Sequence, residues 1–178
     1  MQKRTEVRIA GLGGQGVVLA GKILGRAAVY DGKNVVQTQS YGAEARGSAA
    51  KSEVIIADGR IGFPMVRKCD ILVTMSQKAL DKYLKDLKED GTLLVDESMV
   101  REVPEIKARV FTVPATKMAE TELKSKICAN MIMLGALTKA TGIISQQAAE
   151  KAITQSVPAR AQKVNIRGLR IGLKLVRK

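Results

Sequence analysis

The feature that most constrains this chain is a glycine-rich turn, Gly11-Leu12-Gly13-Gly14-Gln15-Gly16, set between two periodic segments. Before it, Glu6–Gly11 alternates as a strand does; after it, Val17–Tyr30 carries apolar residues at helical spacing and stops at Asp31-Gly32. A strand that turns directly into a helix through glycines opens an α/β unit. The missing side chains let backbones approach closely, and the unpaired N–H groups at the helix start favour an anion. The spacing fits G-x-G-x-x-G in the strand–turn–helix context which that pattern requires.

The rest of the chain extends the same alternation. Asn34–Gln39, Lys51–Ala57, Asp70–Met75, Thr92–Asp96 and Arg109–Val113 read as strands. Ser76 is placed to cap a helix over Gln77–Glu89, which the Asp90-Gly91 turn signal would end. From Thr116 onward the pattern is helical, over Lys117–Thr141, Ser145–Ser156 and Pro158–Val176. The prediction is α/β: a Rossmann-like parallel sheet flanked by helices, with a helical C-terminal segment, in a single domain over residues 1–178. There are no repeats, low-complexity tracts or long linkers.

What the glycine turn serves is narrowed by what is missing. An NAD site expects an acid about 20 residues on, at the end of the second strand. Here that stretch reads Val35-Val36-Gln37-Thr38-Gln39-Ser40, and the first arginine suited to an NADP phosphate is Arg46. Nor is there a Walker lysine, since Lys22 lies well past Gly16. A tight turn, or a contact with a phosphate carried mainly by another chain, fits better than autonomous dinucleotide binding. A free-standing NAD(P)- or nucleotide-binding protein stands as the alternative. A second loop, Ser40–Ser48, follows the second strand and should share its sheet edge with the glycine turn. Small residues there surround Tyr41, Glu44 and Arg46. Arg46 suits a phosphate or carboxylate, or it pairs with Glu44 in a structural turn; composition leaves both open.

Composition removes whole chemistries. With no histidine and only Cys69 and Cys128, the chain holds no Ser-His-Asp or Cys-His system and no four-cysteine or histidine metal site. Both cysteines are expected to pack as small hydrophobes, although Arg67 and Lys68 precede Cys69. No apolar run reaches the about 18 residues of a membrane span. The longest, Ile127–Leu137, is broken by Asn130, an amide expected to satisfy a buried polar group. Glu6 and Arg8 interrupt what would be the core of a secretion signal, so a cytoplasmic setting is expected. Net charge is +13, and Glu150 to Lys178 holds eight basic residues against one acid. Arg160, Lys163, Arg167, Arg170, Lys174 and Arg177 recur every three or four residues, one face of a helix, while Ala161, Val164, Leu169, Gly172 and Val176 take the other arc. Gly168 and Gly172 weaken that helix on propensity. The stripe suits a solvated face or an acidic protein partner. Nucleic acid fits less well, because three Tyr and two Phe supply little stacking and no recognition motif is present.

The segments RIAGLGGQGVVLAGKILG and TQSYGAEARGS, followed by SEVIIA, DILVTMSQKAL, GTLLVDESMV, KICANMIMLGAL and VPAR, resemble the gamma subunit of 2-oxoacid:ferredoxin oxidoreductases over nearly the whole chain. The wording of the second loop looks most like the 2-oxoglutarate enzymes, with Ser48 where the family often has glycine and Ala43 where proline is common. The resemblance implies a subunit inactive alone. Its complex would decarboxylate a 2-oxoacid on thiamine diphosphate and Mg, pass electrons through iron–sulfur clusters to ferredoxin and release an acyl-CoA. Partners would be alpha, beta and ferredoxin-like chains, with neither nucleic acid nor membrane. This chain would pack over the active site and help accommodate coenzyme A. No thiamine-binding Gly-Asp-Gly…Asn pattern is visible in it, and it would carry no catalytic residue and no metal. Gly13, Gly14, Gln15, Gly16, Tyr41 and Arg46 are the expected cofactor-binding residues, meeting an anionic group of coenzyme A or substrate.

Overall fold

The computed structural model describes residues 3–41 and 49–176. Six strands form one sheet: β1 (Arg4–Leu12), β2 (Asn34–Tyr41), β3 (Ala49–Ala57), β4 (Cys69–Thr74), β5 (Leu87–Asp96) and β6 (Arg109–Val113), in the order β2-β3-β1-β4-β5-β6. β1, β4, β5 and β6 pair in parallel, joined by crossovers. β3 breaks the expected all-parallel pattern, for it runs antiparallel to both β1 and β2 and makes the sheet mixed. The reason is chain length. Residues 42–48, which join β2 to β3, are fewer than the roughly ten a parallel crossover needs, so the chain returns beside the strand it has just left. The turnabout keeps the ends of β1 and β2 together: Leu12 pairs with Ala49 and Tyr41 with Ala50, so both ends sit at one edge of the sheet.

Helices cover the two faces unequally. On one face lie α1 (Val17–Tyr30), α3 (Ala115–Leu123), α4 (Ala129–Thr141), α5 (Gln146–Thr154) and α6 (Ala159–Leu175), built around Ile23, Leu24, Met131, Ile132 and Leu134. On the other lies α2 (Gln77–Tyr83), whose Ala79 and Leu80 pack with Leu72, Leu93 and Val66. Ser76 caps α2 as expected, its hydroxyl accepting from the Ala79 N–H at 3.2 Å.

Two helices differ in extent from the sequence pattern. α2 stops at Tyr83 instead of Glu89, because a short 3-10 turn over Leu84–Asp86 hands the chain to β5 at Leu87. Pairing with β4 decides this: Cys69 faces Leu87 and Ile71 faces Thr92, so Asp90-Gly91 is an irregularity within a strand and not a helix end. The expected helix over Lys117–Thr141 is two helices. Lys124 adopts a left-handed φ of 52° after α3, and a 3-10 turn over Lys126–Cys128 precedes α4. The halves have different burial demands. α3 buries one side, whereas α4 is buried from Ala129 to Thr138 and must run between the sheet and α6.

The crossing of α4 and α6 explains the glycines that weakened the last helix. A Cβ on Gly172 would lie 1.9 Å from the Ile132 carbonyl oxygen, and one on Gly135 would lie 2.0 Å from that of Leu169. The two backbones touch, which only residues without side chains allow. No helix among the described residues is long and apolar enough to cross a membrane.

Candidate functional site

The strands that carry helices on opposite faces, β1 with α1 and β4 with α2, lie side by side, so a crevice opens beyond their carboxyl ends. The glycine turn occupies it. Gln15 is the brace: its Oε1 accepts from the Leu12 N–H at 2.6 Å and its Nε2 donates to the Met75 carbonyl at 2.7 Å. One side chain thus ties the end of β1 to the end of β4, and its amide is used within the fold. The Met75 N–H donates to the Ala10 carbonyl at 2.9 Å and completes the seam.

Gly16 caps α1 with φ +72°, in the left-handed region that side chains disfavour. Its carbonyl accepts from the Ala20 N–H at 3.0 Å and from Asn130 Nδ2 at 3.1 Å. Asn130 therefore satisfies a buried polar group, as expected, and the group is the glycine turn itself. The residue is 1% exposed, and its Oδ1 has no partner among the described residues. Gly14 takes φ +91° with open space around it. Among the described residues the amides of Gly13, Gly14 and Gly16 donate to no backbone carbonyl, and the first N–H groups of α1 lack partners by construction.

A cavity of about 280 Å³ lies against this turn, lined by Gly14, Gln15, Met75, Thr116, Lys126 and Ile127. Thr116 is held by buried Asp96, which accepts from its N–H at 3.1 Å and from its hydroxyl, anchoring the start of α3 beside the cavity. Thr116, Lys126 and Asp96 were not signalled by the sequence, for they come from separate segments that only the fold collects. The cavity combines the Gly14 amide with an exposed lysine, Lys126, which pairs with Glu120 at 3.3 Å. Backbone N–H groups and a cationic side chain on one wall are of the kind that suit an anion or a polar chain.

Of the expected site residues, the structure brings Gly13, Gly14, Gln15 and Gly16 into one turn and places Tyr41, 61% exposed, at the same sheet edge across β3. Arg46 lies outside the described residues. Both cysteines are buried. Burial pushes the Cys69 thiol up to about 12, outweighing the nearby Arg8 charge, so it is not a nucleophile. Arg8 itself, 3% exposed on the α2 face, binds Glu53 at 2.7 Å and also Asp86. Burial opposes its charge, yet these carboxylates hold its pKa above the ordinary arginine value.

The cationic stripe of α6 is partly neutralised. Arg170 makes two bonds of 2.8 Å to Glu150, whose pKa this hydrogen bonding lowers, and Arg167 lies 3.9 Å from Glu122. Arg160, Lys163 and Lys174 are exposed and form no ion pair among the described residues.

Comparison with known proteins gives this geometry its context. The family model described as pyruvate ferredoxin/flavodoxin oxidoreductase matches residues 6–175. The chain belongs to that family. It is 53% identical over 169 residues to the 2-oxoglutarate synthase subunit KorC of Methanocaldococcus jannaschii, covering 93% of this chain and 90% of the relative. Its fold matches the gamma subunit of a keto/oxoacid ferredoxin oxidoreductase from Geobacter sulfurreducens with a TM-score of 0.85 at 43% identity, over 96% of each chain. A 2-oxoglutarate:ferredoxin oxidoreductase from Magnetococcus marinus, solved with 2-oxoglutarate, coenzyme A and succinyl-CoA, contains the same fold. There the TM-score is 0.87 at 21% identity, over 97% of this chain and 31% of the other. The gamma-subunit resemblance read from the motifs is thereby confirmed, and the chain is a subunit-type member of an oxidoreductase family.

Proposed function

We propose that this chain is the gamma subunit of a cytoplasmic 2-oxoglutarate:ferredoxin oxidoreductase, inactive alone, and that its glycine-turn edge closes over the shared active site and helps hold coenzyme A. The observation that carries the reading is the end-to-end similarity to KorC at 53% identity. The Magnetococcus marinus oxidoreductase of the same fold, with coenzyme A bound, supports the choice of ligand. In this reading residues 1–178 act as one domain beside alpha, beta and ferredoxin-like chains, and ferredoxin takes the electrons.

Thiamine diphosphate, Mg and iron–sulfur clusters belong to the companions. Two buried cysteines and no histidine do not make a cluster ligand set. What this chain contributes is a binding wall. The amides of Gly13, Gly14 and Gly16 and the start of α1 supply donors to a phosphate or carboxylate. Arg46 supplies a full positive charge, and Tyr41 an exposed ring at the same edge. Gln15 positions the turn through Leu12 and Met75. In this reading the chain contributes binding energy for coenzyme A, and the companion chains carry the reaction.

The test is the assembled complex carrying Arg46→Ala or Gly14→Ala. The expected result is a Michaelis constant for coenzyme A raised about tenfold, the loss of one charge-assisted hydrogen bond, with little change for the oxoacid. Unchanged constants for both substrates would overturn the reading. Binding of NAD(P) by the isolated chain would instead favour the free-standing alternative.

A further inference from the structure

At the opposite edge of the sheet from the glycine turn, the loop from Asp58 to Lys68 joins β3 to β4 without helix or strand. It exposes two large apolar side chains, Phe63 at 45% and Met65 at 60%. They are held outward by a built frame. Val66 between them and β4 is buried, and its carbonyl accepts from Arg8 Nη2 at 3.1 Å. The Phe63 carbonyl accepts from Arg4 Nη2 at 3.0 Å, and Arg4 is itself paired with Glu6 at 2.6 Å. The Arg67 guanidinium lies 5.3 Å from the centre of the Phe63 ring. Arg4, Glu6, Phe63, Met65 and Arg67 line an open concavity of about 370 Å³. Arg60 and Lys68 of the same loop are also exposed.

We infer that this loop is a docking surface for an acidic face of a companion subunit, with Phe63 and Met65 as apolar anchors and Arg60, Arg67 and Lys68 as the cationic rim. Aromatic, methionine and arginine side chains grouped on a rigid frame are what buried interface centres are made of. Water-exposed Phe and Met side chains lining one concavity gain by being covered. The charge selects the occupant. The chain carries +13, so a second copy would bring like charge to a cationic rim, whereas carboxylates would be drawn to it. The α6 stripe lacks such anchors, and two of its arginines already have acidic partners. This inference rests on the subunit reading above. It adds a second contact, remote from the ligand edge.

The experiment is co-expression with the companion chains, comparing wild type with the double variant F63S/M65S and with Arg67→Glu, and with Lys163→Glu on α6 as the control. Circular dichroism and thermal unfolding of the lone variants verify the fold; Arg67→Glu changes only an exposed side chain and serves if the double variant does not fold. Assembly is read by sedimentation and by affinity at about 50 and about 500 mM NaCl. F63S/M65S is expected to weaken assembly at least ~30-fold, the loss typical of interface hot spots. Arg67→Glu should weaken it most at low salt, and Lys163→Glu should leave it unchanged. Variants that assemble like wild type overturn the proposal while leaving the coenzyme A reading intact. A wild-type chain that binds no companion overturns both. Phe63-dependent self-association, or Phe63-dependent binding of an oligonucleotide, overturns the choice of occupant.

Discussion

Gly16 and Asn130 form a coupled pair, and substituting them singly and together tests how the glycine turn is supported. Gly16→Ala places a methyl in a left-handed backbone, which costs about 1–2 kcal/mol. Its Cβ would also lie 2.4 Å from Asn130 Nδ2, so that amide must swing away and release the Gly16 carbonyl. Losing that hydrogen bond adds about 1 kcal/mol, for a total near 2–3 kcal/mol. Asn130→Ala alone loses the same bond, but the carbonyl keeps its Ala20 partner and an unpaired Oδ1 disappears, so its cost is about 1 kcal/mol or less. In the double variant the clash is gone, the backbone strain remains and the shared hydrogen bond is lost once instead of twice. The pair should therefore be less than additive by about 1 kcal/mol, beyond the 0.3–0.5 kcal/mol scatter of independent sites. Gly14→Ala, with φ +91° and nothing nearby, isolates the strain alone. Urea unfolding at constant m-value measures all four. Full additivity, or a Gly16→Ala cost equal to that of Gly14→Ala, would refute the claim that Asn130 underpins the turn.

Packing, charge and burial elsewhere in the fold give three further outcomes. Gly172→Ala should lower the thermal midpoint, because the overlap with the Ile132 carbonyl at 1.9 Å costs about 1–3 kcal/mol or more. That exceeds the ~1 kcal/mol which alanine gains in a helix interior. Gly168→Ala meets Met131 Cβ at 3.2 Å and should be far milder. Arg8→Met removes the buried cation shared by Glu53 and Asp86, but Lys51 still pairs with Glu53 at 2.9 Å and Asp86 reaches water, so chemical denaturation should record a loss of about 1–3 kcal/mol. A second change, Glu53→Gln, should recover part of it. Finally, a thiol reagent at pH 8 should find no fast-reacting cysteine in the native chain and both after denaturation, since Cys69 is buried with its pKa at about 12 and Cys128 is buried too. Rapid native labelling of Cys69 would contradict its packing role.

Much of the fold was legible in the residues because it rests on local pattern. The limits of α1 and β6 agree with periodicity and turn signals, and Ser76 caps its helix as expected. Where tertiary pairing competes with local preference, the reading fails. Leu87–Glu89 looks helical by pattern but is drawn into β5 by β4, and Lys117–Thr141 splits because its halves bury different amounts of surface. The candidate site divides the same way. The glycines announce themselves, whereas Thr116, Lys126 and Asn130 join them only through the fold.

By itself, the order of residues determined the α/β class, the glycine turn between strand and helix, the lack of a histidine or four-cysteine ligand set, and the family motifs. Each of these depends on a few neighbouring residues or on a count. Only the tertiary structure decided that β3 runs backwards, that Gly135 and Gly172 let α4 and α6 touch, that Gln15 is a brace, and that Phe63 and Met65 stand in water at the far edge. Those outcomes depend on which distant segments meet. Contacts between residues far apart in the chain are set by packing the whole core at once, a condition that no local window contains.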